Sequence, residues 1–257
     1  MRFASVPLFP LCLKLGASQA NTNATAPQVV CVQVVGLLGV DILFQDVDIV
    51  WYKNPMEYFH NKSSPIYGFD AYFQDDGAHS VRYAPWSANS GFYYLRHNDR
   101  TQYFLNSLLM AGDLILKTDS HQQALVAVLS EHSSLYGLRV KVLSRDEDEF
   151  PGGYHFHQKS GKYMRAFLAK EKQPYLFHMS WTTNKDNKLL FFRQMGEWYL
   201  NDQCIQKNST EITVADNDFA KTCCSAEPLF SCHYRDKPSI KPCKESPPID
   251  KRGRSFW

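Results

Sequence analysis

The fold of this chain is decided by the stretch Val40-Asp41-Ile42-Leu43-Phe44-Gln45-Asp46-Val47-Asp48-Ile49-Val50-Trp51. Strand-like apolar residues lead into two acidic residues, Asp46 and Asp48, and apolar residues resume directly after them. Side chains two residues apart in a strand point to the same side. We therefore expect the two carboxylates to converge at the end of a strand that is otherwise buried.

Asp46 and Asp48 are candidate ligands of a divalent metal. Two buried like charges are costly unless a cation neutralises them. Carboxylate oxygens suit magnesium or manganese, and such a metal usually holds a phosphate-bearing substrate. The alternative for so short a motif is an exposed turn, but the apolar residues on both sides favour the metal site.

Size and composition indicate a globular protein. The 257 residues suffice for one sizeable α/β domain, alone or with an appendage. A formal net charge of +2 implies no nucleic-acid surface, and 44% hydrophobic with 14% aromatic residues is typical of a folded domain. No stretch approaches the roughly 20 apolar residues of a membrane-spanning helix.

Cysteines and glycosylation sequons favour the secretory pathway. Of seven cysteines, five lie in a late Pro-rich region, and none forms a C-x-x-C pair: Cys204, Cys223, Cys224, Cys232 and Cys243. This arrangement favours disulfides over a zinc site, with free thiols in a cytosolic protein as the alternative. Sequons begin at Asn23, Asn61 and Asn208.

Three regions are expected along the chain. Residues 1–25 contain Arg2 followed by an apolar run with prolines, which indicates either a weak signal peptide or a wrongly assigned start. Residues 26–200 are expected to form the main domain, and residues 201–257 a Cys/Pro-rich tail.

Periodicity and turn residues predict alternating helices and strands. Helices are predicted at 101–110, 122–129 and 188–200, and further strands at 67–73, 92–95, 138–143 and 176–179. The apolar run 27–38 fits a buried helix, but periodicity alone does not distinguish that helix from a strand. Turns are predicted at 75–77, 89–91 and 151–153. This alternation indicates a mixed α/β sheet, in which ligands bind beyond the carboxyl ends of strands. Candidate polar residues near such ends are Asp46, Asp75, Asn89 and His178.

Three motifs, in order, resemble those of the nucleotide-diphospho-sugar transferases, which are grouped with glycosyltransferase family 77. The first is Leu43-Phe44-Gln45-Asp46-Val47-Asp48-Ile49-Val50-Trp51-Tyr52-Lys53-Asn54-Pro55. The second is Asn89-Ser90-Gly91-Phe92-Tyr93-Tyr94, and the third is Phe177-His178-Met179-Ser180-Trp181 followed by Lys185. Together they span roughly residues 28 to 200.

The resemblance implies a GT-A fold, a Rossmann-like mixed sheet flanked by helices. It also implies a retaining glycosyltransferase that works in the Golgi lumen or elsewhere in the secretory pathway. The cofactor would be Mn²⁺ or Mg²⁺, the donor a nucleotide sugar and the acceptor a glycan or glycoprotein, with no nucleic-acid partner. Membrane association would come only through a missing N-terminal anchor.

The resemblance also assigns roles to individual residues. Asp48 would bind the metal and serve catalysis, Asp46 would contact the ribose or the metal, and His178 would be the second protein ligand. Lys185 would neutralise the donor phosphates. The alternative for His178 is a hydrogen-bonded histidine of the core.

Further substrate-binding residues follow from the motifs. Asn89 would present its amide to sugar hydroxyls, and Asp75 and Asp76 lie where the family has acids near the donor sugar. Gly91 and Trp181 complete the set by their motif positions. The alternatives are a turn-forming role for Asn89 and a solvated turn for the two acids.

One departure from the family concerns catalysis. Many members have Asp-Gln where this chain reads His121-Gln122-Gln123. Gln122 and Gln123 are therefore the catalytic candidates at this position, and a carboxylate is available only if Asp119 reaches the sugar. A same-face displacement, in which the leaving phosphate takes the acceptor's proton, needs no nucleophile from the enzyme and fits better.

A second departure concerns length. About a hundred residues normally precede the Asp-x-Asp strand in a GT-A domain, and here there are 45. We expect either a truncated or misassembled gene product, and thus an incomplete N-terminal part, or a reduced nucleotide-binding half.

Two other functions compete with the transferase. The first is a luminal or secreted carbohydrate-binding protein without catalysis. The second is a metal-dependent phosphohydrolase, which needs additional close ligands. His155 and His157 would share one side of a possible strand, but nothing in the sequence places them near Asp48.

Overall fold

The computed structural model describes residues 25–157, 162–168, 170–181, 188–189, 191–193, 196–201, 223–227, 232–234 and 237–239. These residues belong to two units. The first comprises the described residues up to Ile49 together with Lys53–Phe150, and the second comprises Val50–Tyr52 and the described residues from Pro151 onward.

Helices and strands alternate along the described chain. The helices are α1 (Thr25–Gly36), α2 (Met56–Phe59), α3 (Asp99–Met110), α4 (Gly112–Thr118), α5 (His121–Leu135), α6 (Gly153–His157) and α7 (Lys162–Leu168). The strands are β1 (Ile42–Gln45), β2 (Ile49–Trp51), β3 (Ala71–Asp75), β4 (Ala88–Leu95), β5 (Val140–Leu143), β6 (Leu176–His178), β7 (Cys232–Tyr234) and β8 (Lys237–Ser239). None of these helices combines the length and apolar composition needed to cross a bilayer.

The first unit contains a four-stranded mixed sheet in the order β1-β4-β3-β5. Strand β4 runs antiparallel to both neighbours, whereas β5 pairs with β3 in parallel. The mixed α/β architecture predicted from the sequence is therefore confirmed, and it is consistent with a GT-A-like fold.

Both faces of this sheet are buried, because side chains alternate along β3 and β4. One face packs with residues of α1, α3, α4 and α5 in a single apolar core. The other face carries the buried rings of Tyr72, Phe92 and Tyr94, which pack against aromatic residues outside the sheet. Phe59 stacks on Tyr94 with ring centroids 4.5 Å apart, and Phe150 stacks on Phe92 at 5.8 Å.

A buried carboxylate ties the strands to the helices. Asp70, 1% exposed, lies directly before β3. It accepts bonds of 2.8 Å from Nε and Nη2 of Arg100, 2.9 Å from the backbone N of Arg139 and 3.1 Å from Nδ2 of Asn98. Burial raises the pKa of Asp70, but the hydrogen bonds from Arg100 and Arg139 outweigh burial and hold it well below the usual value.

Two helices differ from their predicted lengths. α5 runs on to Leu135 instead of ending at 129, because His132 is buried and its ring packs on Tyr103 and Tyr136. The helix predicted at 188–200 is wrong in its last part. Gly196 has a φ of +72°, its N donates to Arg193 O, and the N of Glu197 donates to Phe192 O, which is a helix-ending Schellman motif.

The strand predicted at 67–73 is displaced along the chain. The N of Tyr67 donates to Ser64 O and the N of Phe69 to Ile66 O, so this part forms turns, and β3 begins only at Ala71. The tyrosine and phenylalanine rings still pack, since Phe69 and Tyr72 lie 6.3 Å apart. Aromatic content there reflects core packing rather than a strand.

Cysteines divide into bonded and free ones. Cys31 and Cys223 are each in a disulfide. Cys224 has a free, exposed thiol, so the prediction that the late cysteines form disulfides is wrong for this residue. Cys204 and Cys243 lie outside the described residues, as do the tail residues from 240 onward.

The second unit holds its own apolar cluster. Phe167, Phe177 and Phe191 stack in series, with ring centroids 5.7 Å and 5.1 Å apart. Val50 packs against this cluster, and it belongs to β2, the strand that pairs with β6.

We predict that Asp70→Asn lowers the free energy of unfolding at pH 7 by about 1.5–3 kcal/mol, the usual worth of hydrogen bonds to a charged group. Both partner guanidinium groups are partly exposed, so the full cost of a buried pair does not apply. Because the folded pKa lies below the unfolded value of about 3.9, this stabilisation is present above that pH and is lost as pH falls below it.

Urea unfolding at pH 7 and pH 3 measures both effects, with Asp113→Asn on the exposed side of α4 as the matched control. The difference between wild type and Asp70→Asn should shrink at pH 3. An equal difference at both pH values would contradict this account of Asp70.

Candidate functional site

The two acids of the first motif lie in a turn. β1 ends at Gln45 and β2 begins at Ile49, so Asp46 and Asp48 are in the connection rather than within one strand, and the expectation of a shared strand face is wrong. Val47 is 93% exposed, whereas Asp48 is only 6% exposed. This turn thus exposes its apolar residue and buries its second acid, the reverse of an ordinary surface turn.

His178 ends β6, the strand that pairs with β2. The N of Tyr52, after β2, donates to the O of Tyr175, before β6, at 2.9 Å, which requires the two paired strands to run antiparallel. His178 is the last residue of β6, and Asp48 directly precedes β2. The imidazole is buried, and the N of His178 donates to Pro151 O.

Asp46, Asp48 and His178 form a group that could bind a divalent metal. Each offers one ligand atom, and these atoms lie within 4.8 Å of one another. Two carboxylates with one imidazole suit a metal of intermediate hardness such as manganese and leave coordination positions for other oxygens. No other group of this kind occurs in the described part of the chain.

The second motif is a bulge in β4. In the β3–β4 ladder Phe73 pairs with Tyr93, and Asp75 pairs with Ala88. A step of two residues along β3 therefore corresponds to a step of five residues along β4. The extra residues are 89–91, which were predicted as a turn and belong instead to a strand, β4. A bulge re-aims side chains at the edge of a site, and this one directs the motif away from regular pairing with β3.

Asn89 holds the bulge in shape. Its Nδ2 donates to Oδ1 of Asp76 at 3.0 Å, and its Oδ1 accepts from the N of Gly91 at 2.6 Å. Gly91 O in turn accepts from the N of Asp46 at 2.7 Å. Asn89 therefore has the structural role that the sequence left open, and its contact with sugar hydroxyls stays a prediction.

The start of α5 is hydrogen-bonded to the same bulge. Ser120 caps the helix, and Gln122 Oε1 accepts from the N of Ser90 at 3.2 Å and from its Oγ at 3.3 Å. Since the Ser90 hydroxyl donates to Gln122, Nε2 of His121 donates to Ser90 Oγ, 2.8 Å away. Burial lowers the pKa of His121, while the charge of Asp46 acts in the opposite direction.

Ser90 and His121 are bonded to each other beside the predicted site residues, but neither was itself predicted as a site residue. Ser90 is the middle residue of the second motif, and His121 directly precedes the catalytic candidates, so their positions were the only available signal. Gln123 contributes its backbone N to the Ser120 cap at 3.3 Å. Asp119 is exposed and ends α4 in a left-handed conformation.

Asp75, the last residue of β3, and Asp76, which follows it, have different surroundings. Asp76 is 8% exposed and belongs to the bulge through Asn89. Asp75 accepts instead from the N of Gly77 at 2.7 Å and contacts Nε2 of His79 at 2.9 Å, which closes the turn after the strand. The solvated-turn alternative therefore describes neither acid, because both are bonded within the protein.

The third motif is supported by α6. Gly153 N donates to Ser180 Oγ at 2.9 Å, and Ser180 N donates to His178 O at 2.8 Å. Trp181 has a φ of +67°, and its ring meets Tyr154 edge to face at 6.0 Å. Lys185 lies outside the described residues.

The phosphohydrolase alternative gains no support. His155 is buried in α6, where its Nδ1 accepts from the N of Gly152 at 3.2 Å. It is absent from the one described group of metal-binding geometry, and the side chain of His157 is not described. The strand predicted for these histidines is a helix, α6.

Comparison with known proteins agrees with the geometry. A model of nucleotide-diphospho-sugar transferases matches residues 15–192, a range that contains all three motifs. The chain belongs to the nucleotide-diphospho-sugar transferase family.

Two relatives of this chain are named glycosyltransferases. Over 190 residues, 66% of this chain, it is 25% identical to the UDP-galactose:fucoside alpha-3-galactosyltransferase of Dictyostelium discoideum and matches 27% of that protein. Over 182 residues, 64% of this chain, it is 26% identical to an arabinosyltransferase of Arabidopsis thaliana and matches 40% of it. The chain thus spans less than half of the length of either relative.

We predict that Gly153→Ala destabilises the third motif. An added Cβ would lie 2.1 Å from Ser180 O, so the backbone that follows His178 must move, at a cost of about 1–3 kcal/mol. Gly112→Ala is the control, because nothing lies within 4 Å of its Cβ. Urea unfolding should give a lower midpoint for Gly153→Ala only. Equal midpoints for both variants would contradict the close approach.

Proposed function

We propose that this chain is a metal-dependent glycosyltransferase that moves a sugar from a nucleotide diphosphate donor to a glycan or glycoprotein acceptor with retention of configuration. Family membership and the names of the relatives support transfer from a nucleotide sugar. The observation that carries the metal dependence is the group Asp46, Asp48 and His178, whose ligand atoms lie within 4.8 Å.

Asp48 and His178 would hold the metal, with Asp46 as a further ligand or as a contact of the nucleotide ribose. Both principal ligands are pre-positioned, because Asp48 is buried in its turn and the backbone of His178 is bonded to Pro151. When bound, the metal would neutralise the negative charge that develops on the leaving nucleoside diphosphate.

The start of α5 favours a same-face displacement over a covalent intermediate as the route to retention. Gln122 presents an amide, and its Oε1 already accepts two hydrogen bonds from Ser90. An amide in this state is a poor nucleophile, and Asp76 is buried with one oxygen bonded to Asn89. A same-face displacement, with a leaving-phosphate oxygen removing the acceptor's proton, requires no such nucleophile. Gln122 would then serve catalysis by holding the bulge in place.

The remaining predicted contacts belong to the same proposal. Asn89, Gly91 and Asp76 would line the donor-sugar side through the bulge, while Trp181 and Lys185 would act through the third motif. The relatives transfer galactose or arabinose by their names, so we propose a hexose or pentose carried on UDP. The secretory pathway, in particular the Golgi lumen, is the proposed location, which the disulfides of Cys31 and Cys223 favour.

We expect UDP binding to require Mn²⁺ and to weaken at least tenfold in Asp48→Asn and His178→Gln, a change of about 1.4 kcal/mol or more. Each substitution removes one ligand while nearly preserving side-chain volume. Isothermal titration calorimetry of UDP with and without Mn²⁺ measures this affinity directly.

Asp113→Asn is the control for these variants, because it removes an exposed acid from α4 and leaves the three motifs untouched. Its affinity for UDP should equal that of wild type. Equal affinities for wild type and Asp48→Asn, or an affinity independent of Mn²⁺, would remove the proposed metal site.

The stereochemistry of transfer is a separate prediction. With an α-linked UDP-sugar, nuclear magnetic resonance of the first product should show the α configuration at the transferred C1. Mass spectrometry of the enzyme quenched during turnover should find no sugar bound to an aspartate or glutamate. A β-configured product or a trapped sugar ester would contradict the same-face displacement.

A further inference from the structure

The loop that follows α2 presents an N-glycosylation sequon at the surface. Asn61, Lys62 and Ser63 are all exposed. The Oδ1 of Asn61 accepts from the N of Ser63 at 3.1 Å, and Asn61 O accepts from the N of Ser64 at 3.0 Å. Among the residues that the structure describes, Asn61 Nδ2 has no hydrogen-bond partner, so this nitrogen is available for chemistry.

We propose that Asn61 carries an N-linked glycan, a modification that does not depend on the proposed transferase activity. In this step Nδ2 attacks C1 of an oligosaccharide that is carried on a lipid diphosphate. The N–C1 bond forms and the C1–O bond to the diphosphate breaks. The diphosphate leaves with the bonding electron pair, and Nδ2 loses one proton to a base of the modifying enzyme.

Attachment at Asn61 is compatible with the fold of the loop. The new bond replaces a hydrogen of Nδ2 and leaves Oδ1 unchanged, so the bond from Ser63 N survives. Glycans on Asn-x-Ser/Thr sites are bulky and require a surface position, which all three residues of the sequon occupy.

The disulfides supply an independent observation about compartment. Cys31 and Cys223 are each disulfide-bonded, as is usual for proteins that fold in the oxidising lumen of the secretory pathway. Asparagine acceptors are modified in that same lumen. Modification of Asn61 requires neither buried charged groups nor catalysis by this chain. It is therefore expected even if no sugar transfer is detected.

The glycan would lie away from the candidate metal group. Nε2 of His60 lies 2.8 Å from the hydroxyl of Tyr94, and the hydroxyl of Tyr72 donates to Ile66 O at 2.6 Å. These bonds hold the loop beside the end of the sheet where β1 begins, whereas Asp46 follows the last residue of β1. The four residues of β1 separate the two ends by roughly 13 Å at about 3.3 Å per residue.

The test uses the full chain behind a cleavable signal peptide, secreted from eukaryotic cells. Asn23→Gln and Asn208→Gln remove the other two sequons, so that any remaining N-glycan must be on Asn61. We expect one mobility shift that a peptide N-glycosidase reverses, and mass spectrometry should show that this amidase has converted Asn61 to aspartate in the released peptide. Ser63→Thr preserves the sequon and should keep the shift, whereas Ser63→Ala should lose it.

Cleavage of the signal peptide establishes, independently of any glycan, that the chain has entered the lumen. A chain that is cleaved and resists mild proteolysis but shows no shift would overturn the proposal. Retention of the shift in Ser63→Ala would also overturn it. UDP affinity before and after endoglycosidase treatment should be equal, and a tenfold change would contradict the placement of the glycan away from the acids.

Discussion

The antiparallel ladder between β1 and β4 is the interaction on which the candidate site depends. Its final bond, from Asp46 N to Gly91 O at 2.7 Å, sets the first motif against the second. Gly91 is also held by Asn89, and the neighbouring Ser90 is held by Gln122 at the start of α5. Hydrogen bonds therefore connect the turn that holds the acids to the bulge, and the bulge to the start of α5. A change in the register of β1 along β4 would displace all three.

Buried acids in this protein are accommodated in two different ways. Asp70 is matched by two arginines and an asparagine, which satisfy its oxygens within the fold and make it a structural ion cluster. Asp48 instead has another carboxylate, Asp46, and the imidazole of His178 as its metal-ligating neighbours. The first arrangement neutralises charge with the protein's own cations, and the second is a group that could bind a divalent metal.

Much of the fold and part of the site could be predicted from the sequence. The apolar periodicity located α3 and β5 closely, and the three motifs pointed to the residues whose ligand atoms meet. The bulge was missed because Asn and Gly at residues 89–91 are typical of turns, whereas their strand pairing depends on β1 and β3. Ser90 and His121 were missed because their bond joins positions 31 residues apart, which no local pattern encodes.

The sequence by itself determined the mixed α/β class and the chemical groups available: two carboxylates, an imidazole and the amides of Gln122 and Gln123. These follow from local periodicity and from residue identity. Only the tertiary structure decided which acid has which neighbours. Asp70 accepts hydrogen bonds from arginines 30 and 69 residues away, whereas Asp76 accepts one from Asn89 in the bulge. Asp75 accepts one within the turn that follows β3. Strand pairing selects these partners, because hydrogen-bond ladders join residues that are distant along the chain, and adjacent side chains in a strand point in opposite directions.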